Sequence, residues 1–130
     1  TTEIYTLSLH DALPIFGSSS TLTFGVRFDD GASPSTVASV QRGAIGTIGT
    51  TGFHCRFVVT IRTFGSSGTS FGQGFCAIGA ATAENIISTS AATVTEDYTV
   101  SQTIQPFVQW GVANAGNTVS VTNLTSRMEN

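Results

Sequence analysis

The residues best suited to catalysis in this chain are its two histidines, His10 and His54. His10 stands directly before Asp11, but neighbours in sequence rarely share the orientation that a general base and its orienting carboxylate need. His54 alternates with apolar residues and lies on the polar side of its segment beside Arg56, as a surface or interface histidine does. Because no nucleophile, base and orienting group can be placed together, the sequence predicts no catalytic residues and no enzyme.

Two acidic pairs, Asp29-Asp30 and Glu96-Asp97, fall in or near predicted turns. Carboxylates and backbone carbonyls of such turns can bind calcium. Acidic turns are far more often simply solvated, so we predict no metal and no cofactor. The glycine-rich stretch 43–52 lacks the Lys-Ser/Thr ending of a phosphate loop and precedes a strand, where phosphate loops precede a helix. The Asn123-Leu124-Thr125 sequence is a glycosylation signal only in a secreted eukaryotic protein.

Cys55 and Cys76 are too few for a disulfide framework and have no nearby His or Cys to complete a zinc site. They fall on the two strands of a β-hairpin predicted over residues 53–79, with GSSG as its loop. If Phe64 faces Thr69, Cys55 faces Ile78 and lies diagonal to Cys76. This geometry permits a disulfide without requiring one, and two buried, inert thiols are the alternative.

The composition restricts the partners. A chain of 130 residues allows one domain, and only 10% of its residues are charged, with a net charge of -3. All five cations are arginines and they are scattered, so we predict no nucleic-acid partner. No apolar run approaches the roughly 20 residues that span a bilayer, and the first 20 residues lack the pattern of a secretion signal, so we predict no membrane insertion.

Alternating apolar and polar residues predict an all-β fold. The clearest strands are residues 20–28 and 53–64, and a short strand is predicted at 36–40. Further strands are predicted within 93–112 and 117–128, and Pro106 places its strand at a sheet edge or a bulge. Residues 81–92 are the one segment where a helical turn is an alternative to a strand. Their β-branched, Ser and Thr residues make that alternative weak. Six to eight strands with short loops indicate an antiparallel β-sandwich or jelly roll.

Most aromatic residues fall on the apolar side of these strands, which indicates core packing rather than a sugar-stacking platform. Trp110, next to Gln109, is the best candidate for an exposed ligand contact. It also lies beside Val108 and Val112, however, which favours packing.

The C-terminal stretch FVQWGVANAGNTVSVTNLTSRMEN resembles the C-terminal signature of a group of bacteriophage virion β-sandwich domains. In that group a strand ending in Gln-Trp-Gly is followed by an Ala/Ser/Asn turn and an Asn-x-hydrophobic strand. The matching residues here are Gln109, Trp110, Gly111, Ala113, Ala115, Asn117 and Val119. The resemblance extends over most of residues 20–128, including the long strand that ends near Arg62-Thr63 and the Gln73-Gly74 strand.

This resemblance implies a jelly-roll-like, non-catalytic structural protein of the tail-fibre, receptor-binding or capsid-associated type. It implies a homo-oligomer, often a trimer, assembled in the bacterial cytoplasm and located in the virion with other virion proteins. A host-surface glycan is a further implied partner. Gln109, Trp110, Gly111 and Asn117 would then be structural signature residues. The alternative hypothesis is a carbohydrate-binding module of a secreted bacterial protein.

The first 15 residues, TTEIYTLSLHDALPI, differ in texture from the Gly/Ser/Thr-rich remainder. Reverse-translated, they resemble a common short-read sequencing adapter read in frame. We therefore interpret residues 1–15 as an adapter-derived artefact that is not native, and residues 16–130 as an N-terminally truncated, C-terminal fragment of a single β-sandwich domain. We expect residues 1–15 to form a poorly packed tail or a strand on an exposed sheet edge.

Overall fold

The computed structural model describes residues 3–12, 20–31, 33–45, 52–78, 85–90, 93–121 and 123–129. All regular structure in these ranges is β-strand, which confirms the predicted all-β class. The strands are β1 (Glu3–Ala12), β2 (Ser20–Asp29), β3 (Ser35–Ile45), β4 (Phe53–Thr63), β5 (Gly68–Ile78), β6 (Asn85–Ser90), β7 (Val94–Glu96), β8 (Thr103–Trp110) and β9 (Asn123–Glu129). They form two antiparallel sheets.

The larger sheet has the strand order β6-β5-β4-β1-β9. The short strand β7 pairs with the first residues of β5, Gly68 to Ser70, and β6 pairs with its later residues, Gln73 to Ile78. The hairpin of β4 and β5 turns through residues 64–67, where Gly65 adopts a φ of 117° that only glycine takes readily. The predicted hairpin is therefore confirmed over residues 53–78, with Gly68 in β5 and not in the loop, and residue 79 lies outside the described residues.

The smaller sheet has the order β3-β2-β8. Strand β8 pairs with β2 along one edge, and no strand in the described part of the chain pairs with its other edge. Pro106 thus lies on an edge strand, as predicted, where its missing N–H breaks no ladder hydrogen bond.

The inward sides of both sheets enclose one apolar core. Its buried residues are Leu22, Phe24, Val26, Phe28, Val37, Ala38, Val40, Phe53, Cys55, Phe57, Val59, Ile61 and Cys76. The two sheets contact each other mainly through β3 and β5. A Cβ atom added at Gly72 would lie 2.6 Å from the Val37 carbonyl oxygen and 2.9 Å from the Ala38 Cβ. The bare backbone of Gly72 is what allows this close contact between the sheets.

Three local predictions need correction. Strand β3 continues to Ile45, well beyond the predicted end at residue 40. The last strand begins only at Asn123, and the Val119 side chain, which was assigned to a strand, packs from a loop against the core. Within 81–92, residues 85–90 form β6 rather than a helical turn, and the remainder of that stretch lies outside the described residues.

Strand β1 occupies an interior position that was not expected of residues 1–15. It pairs with β4 on one side, where Leu7 faces Phe57, and with β9 on the other, where Leu7 faces Ser126. It is therefore neither a tail nor the outermost strand. Strand β9 is the outermost strand instead, and all seven of its residues are exposed.

Candidate functional site

The Gln-Trp-Gly signature lies at the end of edge strand β8. Trp110 faces Leu22 of β2, is partly buried and packs against the core, while Gln109 is exposed on the opposite side of the strand. A ligand contact through Trp110 would thus have to reach an inward-facing ring. Its position favours the packing role that the neighbouring valines indicated.

Gly111 and Asn117 fasten the segment that follows β8. The Gly111 N–H donates to the Thr21 carbonyl at 2.9 Å, and a side chain at this position would collide with the Thr21 hydroxyl. The Asn117 side-chain amide donates to the Val112 carbonyl, and its backbone N–H donates to Asn114. Both residues close a turn after an edge strand, which is a structural task.

A network of polar side chains covers the outer side of the smaller sheet. The Arg27 Nε and Nη2 atoms both donate to the Gln105 side-chain oxygen, at 3.2 and 3.1 Å. The Gln105 amide in turn donates to Asp29 at 2.9 Å. The Arg27 guanidinium lies 5.6 Å from the Phe107 ring centroid, and that ring leans over Gly25. Together they form a fixed aromatic and polar surface.

The outer side of the larger sheet combines arginine with phenylalanine. We call the surface formed by Arg56, Val58 and Arg62 of β4 with Phe71 and Phe75 of β5 the Arg/Phe face. Both arginines are exposed and the three apolar side chains are half-buried. The Arg62 guanidinium lies 5.1 Å from the Phe71 centroid. The structure shows an ion pair between Arg127 and Glu129, whereas no carboxylate whose side chain the structure describes pairs with Arg56 or Arg62.

Acidic residues gather at one end of the two sheets. The Asp97 carboxylate is close enough to Asp30 for the two charges to repel each other. Hydrogen bonds from the side chain and the backbone of Thr99 nevertheless hold the pKa of Asp97 below its usual range. The exposed side chains of Phe64 and Val100 lie in neighbouring turns. We call Asp30, Asp97, Phe64 and Val100 the acidic corner.

Beneath this corner lies a group of buried polar atoms around Tyr98. The ring of Tyr98 packs on Gly68 and stands edge-on to Phe28 at 5.5 Å. Its hydroxyl, the Ser70 hydroxyl and one Glu96 oxygen are buried without a hydrogen-bond partner. Burial raises the pKa of Tyr98, and the nearby Glu96 carboxylate strengthens this effect.

The two cysteines form a disulfide in the core. Cys55 lies directly opposite Cys76 across β4 and β5, and the sulfurs are 2.02 Å apart. The predicted register, which placed Cys55 opposite Ile78, is wrong by two residues, since Ile78 faces Phe53. Both cysteines are fully buried, so the disulfide contributes to stability and offers no reactive surface.

The remaining sequence candidates do not converge on one site. His10 and Asp11 lie on β1, and their side chains are outside the described residues. His54 is half-buried on the outer side of β4, with its ring 6.0 Å from the Phe75 ring, a contact that suits a surface histidine. The stretch 46–51 of the glycine-rich segment also lies outside the described residues, and Asn123 starts the exposed strand β9.

The two acidic pairs that were considered as calcium ligands, Asp29-Asp30 and Glu96-Asp97, do lie near one another, at the acidic corner. In the described ranges, however, no three His, Cys, Asp or Glu side chains are arranged to hold a metal ion. Asp29 and Asp30 instead accept hydrogen bonds from the backbone N–H groups of Gly31 and Ser33. The carboxylates thus stabilise their own turn.

Sequence reasoning missed both outer surfaces. Phe71, Phe75 and Phe107 point outward and are half-buried, although most aromatic residues were expected in the core. The alternation along β5 carries a signal for this, because Phe71 and Phe75 fall on the opposite side from Cys76.

No helix in the described part of the chain is long and apolar enough to cross a membrane.

Comparisons of the chain with protein-family models, with curated protein sequences and with solved structures found no match.

Proposed function

We propose that this chain is a non-catalytic structural domain of a bacteriophage virion, of the tail-fibre or capsid-associated type, that works by assembling with further copies of itself. Its finer architecture in this proposal is an antiparallel β-sandwich of jelly-roll type. The resemblance of the Gln109-Trp110-Gly111 region supplies the virion class. The observation that carries the assembly role is the uncovered inner side of β9.

Strand β9 presents apolar side chains on the same side of its sheet as the core. Leu124 faces Leu9 of β1, and Leu9 faces the buried Cys55 of β4. Facing residues of paired strands lie on one side of a sheet, so Leu124 points to the inner side, as does Met128 four residues later. Their exposed fractions are nevertheless 50% and 55%. The three-stranded sheet does not extend far enough to cover them.

The free edge of β8 offers the means of covering this flank. Because the Gly111 N–H bonds to the Thr21 carbonyl, Leu22 and Trp110 form a non-hydrogen-bonded pair, and the N–H groups of Ile104 and Val108 point away from β2. A strand from a second copy that paired here would lie over the inner side of β9. We call Leu124, Met128 and the outer edge of β8 the open flank. Such strand addition is a common mode of association.

Sedimentation velocity tests this proposal. In about 1 M sodium chloride, where the screening length of about 3 Å weakens contacts between charges, the natural chain should be an oligomer and the Leu124→Ser/Met128→Ser variant should be a folded monomer, because it lacks the two exposed apolar side chains of the open flank. Thr125→Ser, on the other side of β9, is the matched control. Mass spectrometry should also detect peptides such as residues 43–56 in purified bacteriophage particles from the source of the sequence. A monomeric natural chain that is absent from such particles contradicts the proposal.

The network on the smaller sheet favours a second candidate function, glycan binding, in a virion protein or in a carbohydrate-binding module. A sugar ring stacks on an aromatic side chain while fixed polar groups bind its hydroxyls, and Phe107, Arg27 and Gln105 provide both elements. A glycan array with Phe107→Ala beside the natural chain tests it. Loss of binding in the variant supports this candidate, and an array without any binding removes it.

A further inference from the structure

We propose that the Arg/Phe face of one copy binds the acidic corner of a second copy, so that oligomers are linked end to face. This contact is separate from the open flank of the proposed function. It uses residues of β4 and β5 and of the turns that follow β2, β4 and β7, so it includes no residue of the stretch 1–15.

The two surfaces carry complementary charges within a single chain. Arg56 and Arg62 are exposed on one side of β4, and no carboxylate whose side chain the structure describes pairs with either guanidinium. Asp30 and Asp97 bring two negative charges close together at the end of the sheets. A guanidinium from a second copy would find two carboxylates there, and opposite charge favours their ionised form.

Each surface also has exposed or half-buried apolar side chains. On the acidic corner, Phe64 and Val100 are 48% and 47% exposed. On the Arg/Phe face, Val58, Phe71 and Phe75 are half-buried between the two arginines. Aromatic and arginine side chains are the residue types enriched at protein interfaces. A contact between the surfaces would bury apolar groups on both sides while the charges set its orientation.

Contacts within the chain hold three of the charged groups in place before binding. Arg62 stacks on Phe71, and the Asp97 carboxylate is fixed by Thr99. The Asp30 carboxylate accepts a hydrogen bond from the Ser33 N–H at 3.3 Å. Preorganised groups lose less conformational entropy on association. Because the two surfaces differ, the contact is heterologous and generates rings or open chains rather than a closed two-fold dimer.

Mixing two complementary variants tests this inference. The background is Leu124→Ser/Met128→Ser, which isolates the end-to-face contact from the open flank. The face variant adds Arg56→Gln/Arg62→Gln, and the corner variant adds Asp30→Asn/Asp97→Asn. The background chain should self-associate at low ionic strength and dissociate in about 1 M sodium chloride, where the screening length is about 3 Å. Each variant alone should associate at least about tenfold more weakly than the background chain.

An equimolar mixture of the two variants should recover association, but only to a one-to-one complex, because each copy then has one intact surface. This recovery also shows that both variants are folded. Asn114→Asp/Ser120→Asp is the control for net charge. It lowers the net charge as much as the face variant does, but on an exposed loop, and it should leave the association of the background chain unchanged. A mixture that stays monomeric overturns the proposal, as does association of the background chain that is insensitive to salt.

A monomer that binds polygalacturonate through Arg56 and Arg62 would also overturn the proposal, in favour of an acidic glycan as the partner of this face. Failure of the open flank alone has a different signature. In that case Leu124→Ser/Met128→Ser leaves the oligomer of the natural chain unchanged, while the mixed variants still form their one-to-one complex.

Discussion

Cys55 on β4 lies directly opposite Cys76 on β5, and the bond between their sulfurs joins neighbouring strands inside the core. The bond closes a loop with a sequence separation of 21 residues. Closing a loop of that length lowers the conformational entropy of the unfolded chain, which stabilises the fold by about 3 kcal/mol. We therefore expect Cys55→Ala/Cys76→Ala to lower the free energy of unfolding by about this amount in urea titrations.

A thiol assay provides the control for this prediction. Because both sulfurs are fully buried, the natural chain should react with a thiol reagent only after it is unfolded and reduced. Two reactive thiols in a chain that is unfolded without reductant would show that the cysteines are not joined.

The register of this hairpin shows where sequence reasoning reaches its limit. Alternation located β4 and β5, because Phe53, Cys55 and Phe57 share an apolar side. Their relative register depends on the turn, where Thr63 faces Thr69 and their hydroxyls hydrogen-bond at 2.8 Å. An irregularity between Ile61 and Thr63 then shifts the pairing by one further residue. A bulge has no signature in the apolar pattern, which is why the register was predicted two residues out.

The outer surfaces could not be predicted for a related reason. The hydrogen bonds between Arg27 and Gln105 join residues 78 positions apart, on strands that are neighbours only because β2 pairs with β8. Local patterns give the sides of a strand but not its partners. The position of Pro106 could be predicted, because a missing N–H excludes an interior ladder position whichever strand is the neighbour.

The close approach of the sheets at Gly72 predicts a steric effect. Gly72→Ala would place a methyl group against the backbone of Val37, which cannot move as a flexible side chain can. We expect a loss of about 1 to 3 kcal/mol in the free energy of unfolding, measured by urea titration. Gly52→Ala is the matched control, because no atom lies within 4 Å of its added Cβ. Equal stability of the two variants would contradict this account.

The burial of Tyr98 predicts a loss of stability in alkali. Its pKa is raised above 10.0 in the folded chain, so the folded state holds the phenol proton more tightly than the unfolded state does. The contribution of Tyr98 to the free energy of unfolding is therefore fully present below pH 10. It is lost as the pH rises through the pKa of the folded state. Ultraviolet titration of the phenolate should show a late-titrating tyrosine that is absent from Tyr98→Phe. If the natural chain and Tyr98→Phe lose stability in parallel above pH 10, Tyr98 is not responsible.

The signature residues are expected to act on stability in an order set by their contacts. Trp110→Ala removes a partly buried ring from the core and should cost about 2 to 3 kcal/mol. Asn117→Ala removes the hydrogen bond to the Val112 carbonyl and should cost about 1 kcal/mol. Gln109→Ala changes an exposed side chain and should stay within about 0.5 kcal/mol. Urea titrations in which Gln109→Ala is the most damaging variant would instead indicate a role of Gln109 in assembly.

The interior position of β1 predicts what removal of residues 1–15 does. The shortened chain loses the strand between β4 and β9, so β4 gains a free edge and β9 loses its partner. We expect a lower unfolding midpoint in calorimetry and aggregation through the exposed edge. Thr6→Pro in the whole chain is a milder test, because Thr6 pairs with both Val58 and Arg127 and a proline there breaks the ladder.

The same experiment tests the interpretation that residues 1–15 are adapter-derived. If a native upstream strand normally fills the position of β1, adding that strand to residues 16–130 should restore the midpoint, whereas a scrambled strand of the same composition should not. A shortened chain that stays monomeric with an unchanged midpoint would show that β1 adds nothing to the fold, contrary to its pairing on both sides.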